Sequence, residues 1–300
     1  MRRVLGVSLV LVMVFAATAA TGAQAGPQRG GRLLTSSAPS VALGEAIDYT
    51  VYLPAGYDRG SDRRYPVLYL LHGRGDTMTA WTRVKGELDR LIATRQVPPL
   101  LAVMPDAPWS GGGSYYVDSA YAGGQAVETA LTRDLVAHVD DVYRTSASRD
   151  GRLVGGYSMG GYGALRYALA HQDLFASALV LSPAVYTPLP PADSSTREFG
   201  AFGVGDTAFV DDVYLRLNYP ALLPLVDPSL PLRLFIAVGD DEWANTNPED
   251  FRHDIDFESA ALYNAVRRVP GVSAELRVVD GGHDWDVWGP AFTEGVTLLT

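Results

Sequence analysis

Cysteine is absent from all 300 residues. That excludes disulfides, thiol nucleophiles and Cys-based metal sites, so the fold must be held by its apolar core. Lysine is almost absent as well: Lys85 stands alone and the other 23 basic residues are arginine, which reads as the codon usage of a GC-rich bacterium and not as a site. Positive charge is in deficit overall, with a net charge of -10, so the surface repels nucleic acid and anionic lipid and suits a neutral or apolar ligand. No H-E-x-x-H occurs, and the acidic "DDEWANTNPEDF" at 240–251 lacks the glycine and terminal glutamate of a calcium loop. No G-x-G-x-x-G follows a strand in a dinucleotide-binding context, so neither a metal nor a cofactor is expected.

What is present is ample apolar material, 47% of residues against 19% charged, enough for one sizeable core. The first 25 residues stand apart: Arg2 and Arg3 precede a charge-free apolar stretch from Val7 to Ala20, and "AQA" at 23–25 supplies a small-x-small cleavage pattern. Residues 1–25 read as a secretory signal peptide, which implies an extracellular protein with no membrane attachment after cleavage. Its removal takes the net charge to -12 (22 basic against 34 acidic residues). Residues 26–39 then form a flexible mature N-terminus, and residues 40–300 one domain.

Along that domain, apolar runs of strand type alternate with segments of helical period, the pattern of an α/β layered fold. "AIDYTVYLP" (46–54) alternates as a half-buried antiparallel strand does, whereas "YPVLYLLHG" (65–73) and "LLAVMPDAP" (100–108) are continuous runs suited to a sheet covered on both faces. Further strands are expected at 151–158, 176–184, 232–239 and 273–282. Helices are expected at 78–94, along the stripe Val127, Leu131, Leu135, Val139 and Val142, directly after Ser158, and around Leu262, Ala265, Val266 and Val269. The 187–231 stretch, rich in Pro, Asp, Gly and aromatics, is too long for a plain connection and is expected to be an insertion forming part of a cleft.

Gly156-Tyr157-Ser158-Met159-Gly160 is a G-x-S-x-G pattern between a strand and a helix. A nucleophile on so sharp a turn requires small flanking residues, which Gly156 and Gly160 provide. A serine hydroxyl needs a base within hydrogen-bond reach. Of the five histidines, only His283 follows the last strand; His138 and His171 fall on helices, His253 in an acidic loop, and His72 ends an early core strand, where a structural role is expected. The acid belongs after the 232–239 strand, where Asp240, Asp241 and Glu242 are adjacent. The offset of three from Gly239 favours Glu242, with Asp241 as the alternative. An oxyanion would be met by the backbone N–H groups of Met159 and of Arg74, which follows Gly73. The Arg74-Gly75-Asp76 tripeptide is expected to serve that backbone role, not adhesion.

Taken in order, "YTVYLPAGYD", "LYLLHGRGD...W", "SYYVDS" at 114–119, "GYSMGGYGAL" and "GGHDWDVW" resemble the Putative esterase family of α/β-hydrolases, which includes feruloyl and acetyl xylan esterases, enterochelin esterases, S-formylglutathione hydrolases and mycolyltransferases. The resemblance implies an α/β-hydrolase fold and a secreted serine hydrolase acting on a small-molecule or glycan ester. Acyl transfer to a sugar hydroxyl, as in the mycolyltransferases, is the second reading, and a non-catalytic cell-wall or carbohydrate-binding protein the third. Candidate cleft residues are Trp109, Tyr115, Tyr116, Trp243 and the DWDVW segment after His283, which holds Trp285 and Trp288.

Overall fold

The computed structural model describes residues 30–57, 62–243 and 248–300. The expected signal peptide lies outside them. Eight strands form one sheet: β1 (Arg32–Pro39), β2 (Ala46–Leu53), β3 (Val67–Leu71), β4 (Leu101–Pro105), β5 (Arg152–Tyr157), β6 (Ser177–Leu181), β7 (Leu232–Gly239) and β8 (Val272–Val279). They lie in the order β1-β2-β4-β3-β5-β6-β7-β8. From β4 onward every pairing is parallel, while β2 runs antiparallel to both β1 and β4.

The continuous apolar runs are buried along their whole length because the sheet is covered on both faces. Alternate residues of one strand enter different cores, as the two-residue period of a strand requires. Val67, Tyr69 and Leu71 pack with Leu131, Val139, Leu165 and Leu262 on one face. Leu68 and Leu70 pack with Trp81, Leu88, Leu91 and Phe292 on the other. The first face carries the helices Met159–Ala170 and Ile255–Val266 and the helical run from Val127 to Val142, whose middle, Ala130–Leu135, is wound as a π-helix. The second carries Lys85–Ala93, preceded by a 3-10 turn, and Trp285–Leu299.

One expectation needs correction. From Arg32 on, the presumed flexible lead is strand β1, paired residue for residue with β2 from Arg32↔Leu53 to Pro39↔Ala46. Its sequence, RLLTSSAP, shows no two-residue alternation because most of its side chains face solvent. Backbone hydrogen bonding to β2 decides its structure.

The 187–231 insertion is a packed layer. Its helices Asp211–Leu217 and Tyr219–Leu222 bury Tyr214, Tyr219 and Leu222, and Phe202 sits against Tyr115 and Tyr162. Val204–Gly205 pairs with Ala120–Tyr121, tying the insertion to the loop before the Val127 helix. No helix among the described residues is long and apolar enough to cross a membrane.

Candidate active site

In a parallel sheet of this kind the loops at the carboxyl ends of the strands converge on one edge. Here those loops carry His72 and Arg74 after β3, Ser158 after β5, Ser182 after β6, Glu242 after β7 and His283 after β8.

Ser158 has φ 56° and ψ −120°, a left-handed conformation that a serine adopts only when its surroundings enforce it. Its N–H donates to the Leu181 carbonyl at 2.9 Å, and its own carbonyl accepts from Tyr162 and Ala184 N–H, each at 3.0 Å. The flanking glycines permit the turn by close approach. A Cβ on Gly156 would stand 2.1 Å from the Gly160 carbonyl oxygen, and one on Gly160 would stand 2.1 Å from that of Leu71. Met159 opens the helix that follows, so its N–H has no intrahelical acceptor.

Glu242 is 1% exposed and places its two oxygens differently. Oε2 meets His283 Nδ1 at 2.7 Å. Oε1 accepts from Ser182 Oγ at 2.6 Å and from Gly239 N–H at 2.7 Å. Asp241 is solvent-exposed, and among the described residues its engagement is through backbone N–H to the Gly281 carbonyl at 3.0 Å. Of the adjacent acids, Glu242 is therefore the one brought to His283. Asp240 accepts from Gly281 N–H at 3.0 Å and so shapes the histidine loop.

Trp288 packs edge-on against His283 with ring centroids 5.0 Å apart, and stacks on Tyr157, the neighbour of Ser158, at 4.3 Å. One ring thus touches both the histidine and the nucleophile turn. The Tyr157 hydroxyl donates to Asp76 at 2.5 Å, and burial, with that carboxylate adding to it, pushes its pKa far up, so it remains a neutral donor.

The loop after β3 is anchored from below. His72 Nε2 accepts from Ala107 N–H at 2.9 Å, which requires Nδ1 to carry the proton it donates to the Gly73 carbonyl at 2.8 Å. His72 is buried and fully engaged in shaping the loop that presents Arg74. Trp81 Nε1 donates to Leu71 O and Tyr116 Oη to His72 O, each at 2.9 Å. The exposed Arg74 guanidinium lies over the Phe199 ring of the insertion at 5.4 Å.

The remaining histidines have structural partners. His138 meets Tyr49 Oη at 3.2 Å, and His253 meets Glu258 at 3.3 Å. His171 joins Glu128 at 2.8 Å, where Arg166 donates to the same carboxylate at 2.6 Å.

The proposed cleft residues divide. Trp243, adjoining Glu242, is 64% exposed, and Trp109 is half-buried at φ 66° in the turn closed by Gly112 N–H. Tyr115 and Tyr116 are core residues instead: both are buried, with their hydroxyls bonded to Thr196 at 2.8 Å and to His72 O. Positive φ at both turns these side chains inward, which residue type alone does not reveal. Trp285 likewise belongs to packing, wedged against Trp81 and Tyr157 with Arg83 over its face at 5.2 Å. Ser182 carries no functional signal in the sequence, since it looks like the last residue of an apolar strand. Trp288 closes the DWDVW segment expected in the cleft and is buried in packing instead, one helical turn beyond Trp285.

Sheet order, helices on both faces and a strained serine between strand and helix define an α/β-hydrolase. The chain belongs to the Putative esterase family, whose model matches residues 40–299. It is 40% identical over 137 residues, 46% of its length, to Esterase Rv1288 of Mycobacterium tuberculosis. It is 30% identical over 179 residues, 56% of its length, to an endo-1,4-beta-xylanase/feruloyl esterase of Xylanibacter ruminicola. The matches span only 29% and 24% of those two relatives. A solved ferulic acid esterase superposes with a TM-score of 0.73 at 26% identity, covering 90% of this chain and 97% of that one.

Proposed function

We propose that this chain is a secreted serine esterase that cleaves carboxylic esters through an acyl-Ser158 intermediate. The observation that carries the reading is the buried Glu242 carboxylate held 2.7 Å from His283 Nδ1, on the same sheet edge as the strained Ser158 turn. Accepting from Nδ1 leaves Nε2 unprotonated, the tautomer that can take the Ser158 proton.

Ser158 Oγ attacks the ester carbonyl carbon as His283 Nε2 takes its proton. Negative charge gathers on the carbonyl oxygen, where Met159 N–H and Arg74 N–H are the donors. Collapse breaks the C–O bond, and the imidazolium protonates the departing alcohol. Water, deprotonated by His283, then releases the acid and restores Ser158. Trp109 and Trp243 supply apolar faces beside this centre for an aromatic or sugar portion of the ester. Export rests on the charge pattern and cleavage signal of residues 1–25.

Hydrolysis of p-nitrophenyl acetate tests the reading. Ser158→Ala is expected to abolish turnover and labelling by a fluorophosphonate; undiminished activity in that variant refutes it. Free acid is the expected main product with trehalose or xylo-oligosaccharide present, and sugar ester in excess of free acid would favour acyl transfer. The N-terminus of the exported protein is expected at Gly26.

A further inference from the structure

We propose that Ser182 and Trp288 are positioning residues that set the basicity of the Glu242–His283 pair, an inference that rests on the esterase reading of this site. The indole Nε1–H of Trp288 donates to Ser182 Oγ at 2.8 Å. Because that contact uses the oxygen as acceptor, the Ser182 hydroxyl hydrogen is directed to Glu242 Oε1 at 2.6 Å. The chain of donors runs one way, from indole to hydroxyl to carboxylate to imidazole.

All four groups lie in or beside the core. Ser182 is fully buried, at φ 40°, and its backbone N–H is fixed on the Ala237 carbonyl. Trp288 is buried and clamped between Tyr157 and His283. Neither side chain hydrogen-bonds a reacting atom; both act through Glu242, and the ring contact of Trp288 with His283 is one that Trp288→Phe retains.

A charge-assisted bond to Oε1 lowers the proton affinity of the carboxylate. Deleting it leaves a more basic carboxylate, which stabilises the imidazolium more strongly and raises the pH at which His283 loses its proton. The Trp288 donor polarises the Ser182 hydroxyl, so its loss acts in the same direction but less. Other charges around the pair are Asp240 and Asp241 on the acid loop, Asp280, Asp284 and Asp286 beside the histidine, Asp254 and Asp256 at the start of the Ile255 helix, Asp76 behind Tyr157, and Arg83 across Trp285. They are common to wild type and variants, so the difference between them reports the relay alone.

The test is an NMR titration of the His283 imidazole in wild type, Ser182→Ala, Trp288→Phe and the double variant, the resonance being assigned by its loss in His283→Gln. The expected result is a midpoint raised by about half a pH unit or more in Ser182→Ala, a smaller rise in Trp288→Phe, and a double variant matching Ser182→Ala. The acid limb of the kcat/KM profile for p-nitrophenyl acetate should move with the midpoint, kcat falling while KM holds. Unchanged midpoints in both single variants overturn the proposal, and additive shifts in the double variant overturn the path through Ser182. Trp288→Phe keeps an aromatic ring in the same stack and decides the matter if Ser182→Ala does not fold. The titration needs no turnover, so failure of the esterase reading, seen as activity retained by Ser158→Ala, remains distinct from failure of the relay.

Discussion

Replacing Glu242 with Gln tests which atom of the acid does the work. Oε1 faces two fixed donors, Ser182 Oγ at 2.6 Å and Gly239 N–H at 2.7 Å, while Oε2 faces His283 Nδ1. A glutamine has one oxygen and one NH2. Its oxygen must stay on the two donors, because the backbone N–H of Gly239 cannot reverse its role. The NH2 then points at Nδ1, which has to become an acceptor, and the imidazole proton moves to Nε2. In that tautomer His283 cannot take the proton of Ser158. A triad that loses its tautomer in this way drops about 10⁴-fold in kcat, or roughly 5 kcal/mol of barrier. Stability should barely change, since both buried donors keep an acceptor. Glu242→Ala, by contrast, orphans both, at about 1–3 kcal/mol each, and should unfold at lower temperature as well. The assay is p-nitrophenyl acetate turnover near neutral pH beside thermal unfolding by circular dichroism, with Asp241→Asn as control. The reasoning is refuted if Glu242→Gln keeps more than about a tenth of the wild-type kcat, or if Asp241→Asn loses as much.

Two further outcomes follow from packing and from charge. Gly160→Ala drives a Cβ to 2.1 Å from the Leu71 carbonyl oxygen, a backbone atom that cannot yield, and should cost about 3 kcal/mol or more in urea unfolding; Gly86→Ala meets nothing within 4 Å on an exposed helical face and should gain about 0.5–1 kcal/mol. Equal effects at the two sites would contradict the close-approach argument. Burial raises the Glu128 carboxyl pKa, but the His171 hydrogen bond and the Arg166 charge outweigh it and hold the group below the usual carboxylate range. A depressed folded pKa contributes stability above the unfolded value and loses it as pH falls through the folded one. Glu128→Ala should therefore cost about 3–5 kcal/mol at neutral pH, and the gap to wild type should narrow as pH drops below the carboxylate range. A gap independent of pH would contradict it.

Much of this fold was legible because its strands announce themselves locally. A strand buried on both faces must be apolar throughout, and "VLYLL", "LAVMP" and "SALVL" are so. The elbow was legible for a similar reason: two backbones that approach to within the radius of a methyl group admit only glycine, so Gly156 and Gly160 write the turn into the chain. Strand β1 was not legible, since an edge strand with exposed side chains satisfies its backbone through its neighbour and carries no apolar period.

By itself the sequence determined the alternation of strands and helices, the serine on its turn, and the loops in which an acid and a histidine had to be sought. Only the tertiary structure decided which carboxylate faces His283. Three adjacent acids share one local sequence signal, and what separates them is whether a side chain points into the core toward Ser182 and Gly239 N–H or out to water. The same reason moved Tyr115, Tyr116, Trp285 and Trp288 from cleft to packing and brought in Ser182. A residue's type states what chemistry it can perform. Its direction is set by backbone dihedrals and by neighbours distant in the chain, such as Ser182 and Trp288, 106 positions apart, and only the folded chain brings those together.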